Sequence, residues 1–295
     1  MVSKKTAILW AILAAALYAI NSPVSKLLLS EIPPTLMAAF LYLGAGIGLA
    51  IVRLVQRQTR KGPAEQPLTR KELPYTVGMV VLDIAAPIAL MVGLTMTTAA
   101  NASLLNNFEI VATSIIALCV FKEVISKRLW AAIWLITLSS IVLSVEDVSS
   151  FSFSFGSIFV LLACVCWGFE NNCTRMISNK DPLQIVVIKG FGSGIGSLCI
   201  ALALGERLPG WGSIVCALLL GFVAYGLSIC FYVYAQCYLG AAKTSAYYAL
   251  APFIGAGLSL LIFRETPSVS FVIALLVMTA GAYLASTDTA DNVKQ

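Results

Sequence analysis

Ten runs of apolar residues, each close to twenty long or longer and separated by short polar joins, constrain this chain more than any other feature. They fall at residues 6–29, 34–55, 74–96, 99–121 and 128–145, and again at 155–178, 182–204, 211–238, 241–262 and 268–286. A helix rises about 1.5 Å per residue, so about 20 apolar residues cross a hydrocarbon core of about 30 Å. A lone apolar run inside lipid can satisfy its own peptide groups only as a helix. The expected fold is therefore an all-α integral membrane protein of about ten transmembrane helices. Composition agrees, with 59% hydrophobic residues and 11% charged, where a soluble globular chain carries roughly 25% charged. Ten crossings and their joins use nearly all 295 residues, leaving little for a separate catalytic domain.

The charges that remain are placed asymmetrically. Alternate joins on one side collect Lys4, Lys5, Arg53, Arg57, Arg60, Lys61, Arg70, Lys71, Lys122, Lys127, Arg128, Lys180, Lys243 and Lys294, while the other side has Arg207 and Arg264. Short cytoplasmic loops hold the excess of Lys and Arg, so both termini are expected in the cytoplasm. The net charge of +5 is scattered along the chain, so it reads as a topology signal rather than a nucleic-acid surface. The first run is too long for a signal-peptide core and reads as a retained span. The join from Gln56 to Leu73, with Gly62, Pro63 and Pro67, reads as a flexible cytoplasmic linker.

Histidine is absent, which removes the commonest general base, the Ser-His dyad and most zinc sites. The eight cysteines, among them Cys119, Cys164, Cys166, Cys173 and Cys237, lie in apolar runs without C-x-x-C spacing and read as small core residues. No cofactor, no metal and no enzymatic activity are expected.

The runs repeat. Gly44-Ala-Gly-Ile-Gly48 in the second recurs as Gly192-Ser-Gly-Ile-Gly196 in the seventh, and Pro33-Pro34 before one parallels Asp181-Pro182 before the other. The fourth run ends Phe121-Lys122-Glu123 and the ninth Phe263-Arg264-Glu265. Two five-helix repeats follow, residues 1–148 and 149–295, and an odd number of spans per copy turns the second over in the membrane. That inversion places Glu123 at the inner face and Glu265 at the outer. Together with Trp167-Gly168 in the sixth run, these motifs resemble the drug/metabolite transporter superfamily, in particular its EamA-type members with ten helices. The first half departs from the pattern with Tyr18-Ala19 where the second has Trp167-Gly168. The resemblance covers nearly the whole chain. It implies a central cavity between the halves, alternating access, and export or uptake across the plasma (inner) membrane of amino acids, organic cations or related metabolites.

Ionisable residues inside the apolar runs are the site candidates, because burying them costs several kcal/mol unless they pair or face water. They are Asp83, Glu109, Glu170 and Lys189, and Lys189 has pairing with Glu170 as an equal alternative. Trp167, Glu170, Asn171 and Thr174 share one helical face, as do Tyr18, Asn21, Ser22 and Ser25, and Asn106, Glu109 and Thr113. Such stripes either wall a solvated cavity or join helices by hydrogen bonds. Tyr225, which aligns with Asp83 across the repeat, Tyr232, Tyr247 and Tyr248 are suited to a planar or cationic ligand or, equally, to interfacial belt or packing roles. Gly44, Gly48, Gly192 and Gly196 read as helix-packing positions, and Pro87 and Pro252 as bends, whether hinges or static kinks.

The functional expectation is a secondary active transporter whose halves rock about a central site, with a small-molecule substrate bearing a cationic group and export slightly favoured over uptake. A proton is a candidate second solute, which makes proton-coupled uptake of an organic cation the alternative. A non-transporting membrane scaffold and an intramembrane lipid enzyme are the alternatives of other classes.

Overall fold

The computed structural model describes residues 4–59, 68–122, 124–147, 152–177, 180–239, 244 and 247–287. Glu123, Lys243 and the linker residues 60–67 lie outside the described residues. Among those described, nine helical stretches are long and apolar enough to cross a membrane, and the shorter Ala251–Phe263 supplies the tenth. The exception to an all-helical chain is a two-residue antiparallel pairing of Val145 and Asp147 with Phe153 and Ser152, in the join between the repeats.

Helix starts follow side-chain caps. Ser126, Ser154, Asp181 and Ser268 accept the N–H three residues on, opening helices Lys127–Ser144, Phe155–Met176, Pro182–Ala203 and Val269–Ser286. Helices Phe108–Phe121 and Ala251–Phe263 both end on a left-handed residue, Lys122 (φ 56°) and Arg264 (φ 51°), each four positions before its serine cap. The repeated Phe-basic-Glu triplet is thus a repeated helix stop.

Three spans are discontinuous. The first runs as Lys4–Ala19 and Asn21–Leu28, broken at Ile20. The fourth runs as Ala99–Leu105 and Phe108–Phe121, broken at Asn106 and Asn107. In the ninth, a turn at Ala249 and Leu250 precedes the helix. The fourth- and ninth-span breaks sit at nearly equivalent repeat positions. The eighth span stays continuous but widens to a π-helix over Phe222–Leu227, between Trp211–Gly221 and Ser228–Leu239. Pro87 lies within the unbroken third span, Leu73–Met96, whereas Pro252 opens its helix rather than interrupting it.

Helix packing shows two-fold order. The second span, Pro34–Thr59, packs on the seventh and the fifth on the tenth. Third-on-sixth and fourth-on-sixth contacts are matched by eighth-on-first and ninth-on-first. The packed units therefore differ from the expected sequence halves. The third, fourth and sixth spans form one bundle and the first, eighth and ninth the other, so each repeat lends its leading helix to its partner.

Missing side chains permit the tight crossings. A Cβ on Gly190 would lie 2.5 Å from Gly46 Cα, and one on Gly44 2.0 Å from the Leu218 carbonyl of the eighth span. Gly48 abuts the Phe222 ring, Gly192 Val80, and Gly196 Ile84. The cysteine expectation holds for Cys164 and Cys230, which are buried, but Cys119, Cys199 and Cys216 lie exposed on the bundle surface among apolar residues such as Leu261 and Trp134. An apolar surface suits lipid, so apolar sequence alone cannot tell core from periphery.

Candidate functional site

The two bundles enclose a cavity of about 720 Å³. Its lining includes Thr174 near the end of the sixth span, Ile185 and Val186 near the start of the seventh, and Ala285 and Ser286 at the end of the tenth. The cavity therefore reaches toward the face that carries the first residues of span one and the last of span ten, here called the terminal face. Both helix breaks line it, through Asn106, Asn107, Ala249 and Ala251. Irregular backbone at membrane depth is tolerated where it borders a cavity.

One wall is acidic and amide-rich. The sixth span turns Trp167, Glu170, Asn171 and Thr174 into the cavity, beside Asn106, Glu109 and Thr113 of the fourth. Asn171 Nδ2 donates to Glu109 Oε1 at 2.6 Å and lies 3.2 Å from Thr113 Oγ1, while the Thr174 hydroxyl donates to Glu170. The opposite wall is aromatic, built from the first, second, eighth and ninth spans. Tyr42, Tyr225, Tyr18, Tyr248 and Tyr232 follow one another with ring centroids 5.3, 5.8, 5.7 and 5.1 Å apart. Such spacings are those of favourable edge and tilted aromatic pairs.

Between the walls lies Lys189 of the seventh span. Its Nζ is 3.0 Å from Glu170 Oε1 and 3.1 Å from Asp83 Oδ2. Tyr42 donates to the other Asp83 oxygen at 3.0 Å. Asp83 has no exposed surface and is not among the lining residues, so it stands behind the wall and holds Lys189 from the rear. Asn21 is likewise buried behind the wall, donating to the Tyr225 hydroxyl at 3.1 Å and accepting from Ser25. Asn21 and Tyr225 occupy in one bundle the places that their repeat counterparts Glu170 and Asp83 occupy in the other. The same architectural slot is neutral on one side of the molecule and charged on the other.

The structure thus brings Glu109, Glu170, Asn106, Trp167, Asn171, Lys189, Tyr225 and Tyr248 to one cavity, with Asp83 and Asn21 in support. Gly44, Gly48, Gly192 and Gly196 stand at helix crossings. Sequence reasoning left out Tyr42, which looks like ordinary filling in a glycine-rich run and gains its place only through its Asp83 bond. Tyr18, on the Asn21 stripe, and Tyr232, among the tyrosines suited to a ligand, both line the cavity.

Chemically, the site accepts donors. Lys189 is the one cation among the described lining residues, and both Glu170 and Asp83 hold it. Glu109 has no lysine or arginine within ion-pair distance among the described residues, and Asn106 Oδ1 is buried without a hydrogen-bond partner there. Among the described residues no group of His, Cys, Asp and Glu is arranged to hold a metal ion.

Comparison with known proteins agrees with this architecture. The model of the EamA-like transporter family matches residues 5–145 and again 154–287. An uncharacterized transporter of Methanothermobacter thermautotrophicus (strain Delta H) is 28% identical, over 92% of this chain and 84% of its own. A crystal structure with 16% identity superposes with a TM-score of 0.65 over 96% of this chain and 97% of the other, which is a likeness of fold.

Proposed function

Because this chain belongs to the EamA-like transporter family, whose members move small molecules across lipid bilayers, we propose that it is a secondary active carrier of a small organic solute with a cationic amine group. It works by alternating access, with the bundle of the third, fourth and sixth spans and the bundle of the first, eighth and ninth contributing opposite walls of the site. Both termini lie in the cytoplasm of a cell whose plasma membrane holds the protein, and export is the favoured direction. The cavity in the present conformation then faces inward.

The observation that carries this reading is the charge and acceptor balance of the cavity. Asp83, Glu109 and Glu170 face a single lysine, and the lysine is shared by two of them. Glu109 and the unpartnered Asn106 carbonyl remain to accept hydrogen bonds, opposite a row of tyrosines. An ammonium group fits that vacancy, because a carboxylate prefers a cation and aromatic faces attract one. Among the described lining residues no cation is left over to hold a substrate carboxylate, which favours an amine over an amino acid.

The same balance supports a second reading, coupling to protons. Three acids against one lysine leave two negative charges to be neutralised, and one substrate ammonium covers one of them. A proton on a second acid covers the other.

Transport by purified protein in liposomes tests both. Saturable flux of an amine is expected from a panel of amines, amino acids and other metabolites, run with and without a pH gradient. Glu109→Gln is expected to weaken it at least about tenfold, the usual scale for losing a charged partner in a site. Absence of flux for every compound defeats the carrier reading, and undiminished flux in Glu109→Gln defeats the assignment of Glu109.

A further inference from the structure

The three discontinuous spans meet at a second, smaller cavity of about 10 Å³, the room of one water-sized particle. We propose that it is a binding site for a monovalent alkali-metal cation that is exchanged for the solute. The site rests on the carrier reading and gives a metal cation the coupling role that the second reading gives to protons.

The lining is polar where the backbone breaks. Ala19 and Ser22 come from the first span, Ser103 and Asn106 from the fourth, and Gly255 from the ninth. Ser103 and Asn106 are 2% and 8% exposed, and Ser103 Oγ and Asn106 Oδ1 are buried without a hydrogen-bond partner among the described residues. Buried polar oxygens in folded proteins nearly always have a partner, so two together point to a ligand. The Ala19 carbonyl joins them. In a continuous helix its donor would be the N–H of residue 23, which is proline and has none. A Cβ on Gly255 would lie 3.0 Å from both the Ala19 carbonyl oxygen and Ser103 Oγ, so the glycine leaves the space between those oxygens open.

These groups are neutral oxygens. Oxygen donors without sulfur or imidazole suit a hard cation, and a set without a carboxylate suits one positive charge rather than two. Two fields favour a cation there. Ala19 closes the helix Lys4–Ala19, whose C-terminal end carries the negative end of its dipole. The adjoining site sets Asp83, Glu109 and Glu170 against one lysine.

Tyr18 and Asn106 line both cavities. A metal cation and a substrate ammonium group on the one Asn106 carbonyl repel each other, so they occupy the protein in turn and cross in opposite directions. The first-span oxygens belong to one bundle and the fourth-span oxygens to the other. Rocking of the bundles therefore takes the site apart and frees the ion.

Melting of the full chain in detergent, in the chloride salts of sodium, potassium and N-methylglucamine at one ionic strength, tests the site without any solute. Sodium or potassium is expected to raise the melting temperature saturably over N-methylglucamine, by about 3 °C at about ten times its dissociation constant. Ser103→Ala removes an oxygen and Gly255→Ala fills the space between two, and each should abolish the rise. The difference between salts is read within one variant, so a general loss of stability does not hide it. Where Ser103→Ala fails to fold, Gly255→Ala decides. Equal melting of the wild type in all three salts makes a buried water the occupant and overturns the site, as does a rise that persists in the variants. In liposomes the favoured cation on the side opposite the amine is expected to speed its flux about fivefold or more, and on the same side to slow it. Acceleration from the same side overturns exchange. Salt-dependent melting without flux of any compound retains the cation site and sinks the carrier with its coupling, whereas flux with salt-independent melting does the reverse.

Discussion

Lys189 divides one charge between an acid that faces the cavity and an acid that does not. Glu170 can exchange its partner for water or a substrate, but Asp83 has no exposed surface and depends on Lys189 and Tyr42. Removing the lysine leaves that carboxylate buried and uncompensated, so Lys189→Met should cost about 3–5 kcal/mol. Adding Asp83→Asn should recover most of the loss, measured as the melting temperature in detergent. A Lys189→Met protein as stable as wild type contradicts the assignment of Asp83 as its rear support. Of this triad, the sequence made the Lys189–Glu170 pairing legible, because two opposite charges in adjacent apolar runs have few other partners. The position of Asp83 behind the wall was not legible, since it depends on how the third span is rotated against the seventh. Tyr42 escaped for a similar reason, as a tyrosine between apolar neighbours gives no sign of which hydroxyl partner it will meet.

At the scale of elements, the crossing of the second and seventh spans depends on two glycines meeting backbone to backbone. A Cβ on Gly190 would approach Gly46 Cα to 2.5 Å, and neither main chain can yield without separating the helices. Gly190→Val should therefore lower folded yield and melting temperature by an amount typical of overpacking, about 1–3 kcal/mol or more. Gly257→Val in the ninth span is the control, because a Cβ there meets nothing within 4 Å. Equal losses in the two variants would assign the effect to helix propensity or lipid rather than to the crossing. The apolar runs made nearly every span readable. The breaks were less readable. Proline drew attention to Pro87, whose helix continues unbroken, while the fourth span breaks at Asn106 and Asn107. A transmembrane helix absorbs a proline when neighbours re-satisfy the freed carbonyl, whereas two adjacent asparagines offer their own amides to the backbone. The glycine runs were legible as packing positions, but their partners were not, since Gly44 and Gly48 face the eighth span and Gly192 and Gly196 the third.

At the scale of the whole molecule, the repeat is readable in sequence and its interlocking is not. The leading helix of each copy lies against the other copy, the first span on the eighth and ninth and the sixth on the third and fourth. Polar faces that bond across this boundary go with it, from Asn21 to Tyr225, Asn171 to Glu109, and Ser228 to the Ala14 carbonyl at 2.9 Å. A half made alone would expose those groups to lipid, where each unsatisfied one costs several kcal/mol. Residues 1–148 or 149–295 expressed singly should therefore insert yet fail to reach a stable fold, giving little protein in detergent and none that is monodisperse. Expressed together, the two pieces should recover each other as a one-to-one complex that melts within a few degrees of the intact chain, because the described residues of the join contribute only a two-residue strand pairing. A first half that folds alone as a stable five-helix unit would mean that the leading helix is not held by its partner copy.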